Sequence, residues 1–107
     1  MLFSVRLDVA LRILDHLRHV EVAKVPELAA VSSASLETVS KVAQSLVRLG
    51  YLAGTRGPAG GYSRVHQEPI RVSEIVTNIE GELASPVSPI LWAIQELVLS
   101  ELDETFV

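Results

Sequence analysis

The sequence predicts a mainly α-helical domain carrying one small β-hairpin. Three observations carry that reading. Apolar residues recur at spacings of three and four over several segments, the rhythm of a helix with one buried face. One stretch, residues 51–65, breaks the rhythm with a glycine-rich turn between two short strand-like runs. Hydrophobic residues make up 49% of the chain but aromatics only 5%, so Leu, Val, Ile and Ala must build the core. At 107 residues the chain suits one modest core. There is no internal repeat and no low-complexity segment.

The first helix spans Ser4 to about Leu17, with Val5, Val9, Ala10, Ile13, Leu14 and Leu17 as its stripe. A short helix covers Val25–Val31. Pro26 suits its first turn, Glu27 complements its dipole, and Leu28, Ala29 and Val31 are its inward candidates. Residues 32–35 form a turn. Ser35 is placed to cap the next helix, because its hydroxyl can accept a free first-turn amide. That helix has Leu36, Val39, Val42, Ala43, Leu46 and Leu49 on its apolar side. Thr38, Lys41, Ser45 and Arg48 occupy other faces, and Gly50 ends it. A short helix, a turn and a longer helix form a helix-turn-helix pattern.

Residues 51–56 read as a strand, 57–61 as a turn and 62–65 as a returning strand, with Arg56 and Arg64 flanking the tip. A hairpin directly after a helix-turn-helix makes a winged helix, whose wing can lie along a neighbouring DNA groove. Ile70–Ile79 is a further short helix, with Ser73 as a candidate cap and Glu80-Gly81 closing it. Residues 82–88 are a linker around Pro86. Ser88-Pro89 opens a last helix with a wide apolar stripe of Ile90, Leu91, Ile94, Leu97, Val98 and Leu102, flanked by Trp92 and Leu99. Ile90, Leu91, Ile94, Leu97 and Val98 are the candidate dimerisation residues, since so wide a stripe suits a twin helix. Glu101, Asp103 and Glu104 oppose the dipole at its end, which predicts fraying unless a partner supplies positive charge.

Charge is divided along the chain. The total is −4. Residues 1–66 hold eight Lys/Arg against five Asp/Glu, a net of +3; residues 67–107 hold one arginine against eight acids, a net of −7. A polyanion such as DNA needs a local basic face, not a basic total. The chain has no cysteine, which excludes disulfides, thiolate metal sites and a cysteine nucleophile. No apolar run reaches the roughly 20 residues of a membrane span, and the start lacks the pattern of a secretory signal. The expectation is a cytoplasmic protein with no membrane partner.

The wing sequence Arg56-Gly-Pro-Ala-Gly-Gly-Tyr62 resembles the RGPxGGY signature of the Rrf2 family of bacterial repressors. Ser35-Leu36, Gly50, Val72-Ser-Glu-Ile-Val and Glu80-Gly81 also stand where that family has them. The resemblance covers residues 3–81 and is looser over the last helix. It implies a winged helix-turn-helix DNA-binding domain over 1–81, then a linker and C-terminal dimerisation helix over 82–107. It implies a transcriptional repressor that binds a palindromic operator as a homodimer. DNA contact then falls on Ser35, Thr38 and Lys41 of the second helix and on Arg56 and Gly57 of the wing; Arg48, by its charge, joins Lys41 as a candidate phosphate contact.

Two departures matter. Many members bind an iron–sulfur cluster through three cysteines before the last helix, whereas Glu82–Ser88 is short and has none, so no cofactor is expected. Thr38 and Ser40 stand where relatives often have tyrosine and glutamate, so the DNA sequence read should differ.

Other chemistry finds little support. Gly57–Gly61 lacks the Gly-Lys-Ser/Thr of a P-loop. His16 and His19 stand three apart without a nearby carboxylate pair and read as surface residues, not metal ligands; His66 reads as a loop residue. No motif sets up a nucleophile, so no enzyme is expected. The rival reading is a winged-helix protein-interaction module without DNA binding. A small-molecule effector is neither indicated nor excluded.

Overall fold

In the computed structural model, residues 4–82, 89–102 and 104–107 are described. Five helices and two strands follow one another: α1 Val5–His16, α2 Val25–Ser32, α3 Leu36–Arg48, β1 Leu52–Thr55, β2 Gly61–Arg64, α4 Val72–Glu82 and α5 Pro89–Glu101. Each of the first helices starts for a local reason. Ser4 Oγ accepts the Leu7 amide at 3.2 Å and caps α1, while it donates to Glu80 of α4 at 2.8 Å. Pro26 sits in the first turn of α2. Ser35 caps α3 as its sequence position predicts. At the far end of α3, the Gly50 amide reaches Val47 O and the Tyr51 amide reaches Leu46 O. Gly50 has φ +89°, and the two bonds form a Schellman cap.

The core lies where α1, α2, α3 and α4 meet. Ile13, Leu14 and Leu17, Leu28, Val39, Val42 and Leu46, and Ile75 and Ile79 fill it. Leu99 and Leu102 of the α5 region pack against its edge. The hairpin is antiparallel, with Leu52 opposite Arg64 at its base and Thr55 opposite Gly61 toward its tip. Ala23 adds a single antiparallel bridge to Tyr62, which pins the chain before α2 to the wing.

The structure corrects several sequence expectations. Val5 is 60% exposed, and Leu7 takes the core position instead. Five residues before Ala10, Val5 is turned to the far side of a helix that advances about 100° per residue. Val31 is also exposed, on the outer side of α2. Leu36 is 57% exposed, because its place on the first turn of α3 is at the open end of the helix pair. The helix α4 begins at Val72, with Ser73 inside it rather than capping it, and continues past Gly81 to Glu82. Of the expected linker, residues 83–88 lie outside the described residues.

The larger correction concerns Arg64. The register sends it to the base of the hairpin, not the tip, and it is only 5% exposed. Its guanidinium donates to Leu14 O at 2.9 Å, His66 O at 3.0 Å and Glu68 O at 2.8 Å. Leu14 O belongs to the last turn of α1, where carbonyls lack helical partners and a cation is favoured. Burial lowers the pKa of Arg64, and Arg18 lowers it further. The three carbonyls hold the cation in place.

After α5 the chain turns, and Thr105–Val107 runs antiparallel to 70–72. Ile70 and Val107 exchange backbone bonds at 2.7 and 2.8 Å, and the Val72 amide donates to Thr105 O at 2.8 Å. Val107 is buried, and the Arg71 guanidinium lies 5.5 Å from the centre of the Phe106 ring. Arg71 thus sets its cation against the aromatic ring of the returning segment.

Replacing Arg64 with Met keeps the stem but strands three carbonyls. The expected loss is about 3 kcal/mol of unfolding free energy in urea titration. Arg64→Lys should recover only part of it, since an ammonium lacks the planar fork that reaches three acceptors at once.

Candidate nucleic-acid interface

The outward side of α3 is set by its period. With Val39, Val42, Ala43 and Leu46 buried, Glu37, Lys41, Gln44 and Arg48 fall on the opposite side and are exposed. At the start of the helix, Ser35 Oγ accepts the Thr38 amide at 3.1 Å and donates to Thr38 Oγ1 at 3.0 Å. Ser35 is therefore occupied as a cap, while the Thr38 hydroxyl keeps its proton for another acceptor. The cap leaves first-turn amides and the positive end of the dipole facing outward, an arrangement that suits phosphate. Lys41 pairs with Glu37 at 3.1 Å, and Arg48 reaches Ser45 Oγ at 2.9 Å. Both cations sit on exposed surface, where such pairs are weak and exchange readily with a phosphate.

Glu37 and Gln44 were absent from the sequence-derived site. The signal was available: they stand at i−4 and i+3 from Lys41, on the same side as Arg48. An amide and a carboxylate there can read adenine and cytosine edges respectively.

The wing is held from three sides. Gly57 has φ +99°, and its carbonyl accepts the Gly60 amide at 2.9 Å, closing a turn over Pro58 and Ala59. Lys24, just ahead of α2, donates from Nζ to Pro58 O at 2.6 Å. Ala23 and Tyr62 exchange backbone bonds of 3.0 and 2.8 Å. Two glycines make this closeness possible. A Cβ on Gly60 would stand 2.1 Å from Thr55 O, and one on Gly61 would stand 2.6 Å from Ala23 O. The result is a stiff tip on which Arg56 and Gly57 are exposed. Lys24 was also missed by the sequence reading, since nothing local signals a contact 34 residues away.

Tyr51 joins the two elements to α4. Its hydroxyl donates to Glu74 Oε2 at 2.6 Å and accepts from Asn78 Nδ2 at 2.8 Å. Burial and the Glu74 hydrogen bond push its pKa up to about 12.

On α5, Leu97 is 70% exposed, Ile94 is exposed and Val98 is half-buried. The side chains of Ile90 and Leu91 lie outside the described residues. His16 is not paired with His19; its Nε2 lies 2.6 Å from Glu27 Oε2, linking α1 to α2. Among the described residues no group of three potential ligands could hold a metal ion. Nor is any described helix long and apolar enough to cross a membrane.

The Rrf2 family model, described as an iron-dependent transcriptional regulator, matches residues 3–98. The chain belongs to the Rrf2 family. Its winged-helix fold is shared with IscR of T. potens, at 20% identity and a TM-score of 0.76 over 96% of this chain and 80% of that one. It is shared with CymR (YrzC), the global cysteine regulator of B. subtilis, at 23% identity and 0.75 over 97% and 91%. The oxidised form of Staphylococcus aureus CymR matches at 19% identity and 0.69 over 99% and 91%. These likenesses establish the fold. Among curated proteins none matches the chain. A thiolate-held iron–sulfur cluster does not fit this donor set, since it needs cysteines and the sequence has none.

Two outcomes test the interface. Gly61→Ala should detach Ala23 from Tyr62, seen as faster hydrogen exchange at both amides while α1 and α3 stay protected. The raised phenol of Tyr51 favours the folded state while it is neutral. That contribution is present below about pH 10 and is lost as pH rises toward 12. In Tyr51→Phe, stability measured by denaturation should fall less steeply than in the wild type across that interval.

Proposed function

We propose that this Rrf2 member is a cytoplasmic, sequence-specific repressor that binds a palindromic operator as a homodimer, without an iron–sulfur cofactor and without enzymatic activity. The observation that carries the reading is the pairing of a capped, outward-facing helix with a stiff wing. Lys41 and Arg48 stand on the helix, and Arg56 stands on the wing tip. The helix N-terminus would enter the major groove, with Ser35 and Thr38 foremost. Arg56 would enter the minor groove, where Gly57 lets the backbone come close. Lys41 and Arg48 would neutralise phosphates.

Residues 1–81 would form the DNA-binding domain, and 82–107 a linker and dimerisation helix. Exposed Ile94 and Leu97, with Val98 beside them, would meet the same residues of the twin. Ile90 and Leu91 share that stripe in the sequence. The acidic half, with a net of −7, would face away from DNA.

The rival, a protein-interaction module, draws on exposed Leu36 and on the Glu37–Lys41 pair that offsets one positive charge. Selection of genomic fragments by the purified protein separates the two. An inverted repeat should be recovered. Its affinity should fall steeply with salt, and in Arg56→Ala the affinity should drop by about 1–3 kcal/mol with a flatter salt slope. Leu97→Asp should sediment as a monomer and lose most operator affinity. No enrichment at low salt from an intact dimer would replace this reading with the rival.

A further inference from the structure

A groove of about 530 Å³ runs between α4 and α5. Binding sites for small molecules have volumes of roughly 300–1,000 Å³. On the α4 side stand Ser73, Glu74 and Asn78; on the α5 side stand Glu96, Leu99 and Ser100. The lining therefore offers two carboxylates, hydroxyls, an amide and an apolar surface. It contains, among the described residues, no Lys, Arg or His. Among the described residues neither Glu74 nor Glu96 forms a salt bridge. The described lining is thus electronegative, which favours a ligand of positive charge. Two carboxylates with hydroxyls suit the directed N–H bonds of an ammonium, while Leu99 suits a short carbon stem. A bare metal ion is a poorer match, since no three potential ligands converge among the described residues.

The groove's place in the fold gives it a consequence. Glu96 and Leu99 lie roughly 100–160° around α5 from Ile94 and Val98, at about 100° per residue, so pairing of two α5 helices through Ile94 and Val98 would leave the groove open. On its other wall, Glu74 and Asn78 are both hydrogen-bonded to the Tyr51 hydroxyl. The Tyr51 backbone amide closes the end of α3 at Leu46 O, and β1 starts at the next residue. A ligand that draws Glu74 toward itself competes with the Tyr51 hydroxyl for the same carboxylate. It thereby acts at the joint between the helix and the wing.

We propose that this groove is an effector site for a small organic cation bearing an ammonium group, and that Glu74 and Tyr51 carry its effect to the DNA-binding elements. The site stands on its own; its effect on DNA rests on the operator-binding reading above.

Calorimetry on the full chain without DNA tests the site, with 1,4-diaminobutane as probe and 1,4-butanediol as its uncharged counterpart. Saturable binding of the diamine, weakened about tenfold or more in Glu96→Gln and not seen with the diol, supports it. Absence of saturable binding, equal binding by Glu96→Gln, or equal binding of the diol overturns it. Glu96 is exposed, so its replacement leaves the core intact. The second arm measures affinity for the selected operator with and without diamine. A shift of about fivefold or more in the wild type, abolished in Tyr51→Phe while that variant still binds diamine, supports the coupling. Diamine binding with unchanged operator affinity overturns the effector role. If no operator is bound at all, the DNA-binding reading fails, and the calorimetry still decides the site.

Discussion

A guanidinium in the interior holds the molecule's parts in one relation. Arg64 leaves the base of the wing and binds the last turn of α1 and two carbonyls of the segment that leads to α4. The end of α1 and the chain just after the wing, 50 residues further on, thus share one cation. An apolar residue there could fill the space but could not satisfy those carbonyls, which would be costly to leave unpaired. The geometry also fixes the wing's origin relative to α1, and α1 is the floor on which α3 lies. The direction of the wing is therefore set by the core rather than by the hairpin alone.

Much of this architecture was legible in the sequence. The positions of the helices, the Ser35 cap, the Gly50 stop and the glycine-rich turn follow from local chemistry, and local chemistry is what a sequence displays. The misreadings share a cause. Arg64 was placed beside the tip, whereas the register puts it at the base and its burial depends partly on the Leu14 carbonyl, supplied by a helix 50 residues away. The return of Thr105–Val107 to residues 70–72 likewise has no local signature. Leu36 carried the correct period but lies where the helix outruns its neighbours. In the interface, Gln44 was within reach of the periodicity already in use, while Lys24 required knowledge of the fold.

The outward side of α3 is chemically mixed. Its cations are engaged by nearby groups: Lys41 in an ion pair with Glu37, and Arg48 in a hydrogen bond to the Ser45 hydroxyl. Such prior engagement orders long side chains before any ligand arrives, which reduces the entropy they lose on binding. It also tempers indiscriminate attraction to nucleic acid, in keeping with a chain whose overall charge is negative.

The Schellman cap at Gly50 joins α3 to β1 with no slack. Helix end, cap and first strand residue follow one another within five positions, and backbone hydrogen bonds bind the turn to the last helical carbonyls. A connection of that kind transmits rotation without absorbing it. On the operator-binding reading proposed above, α3 and the wing would behave as one tool with two prongs, and neither could be withdrawn from its groove alone. A signal that tilted this tool by a few degrees would release both contacts together. Control through such a joint would be sharp: it would change how often the site is occupied and leave the choice of site untouched.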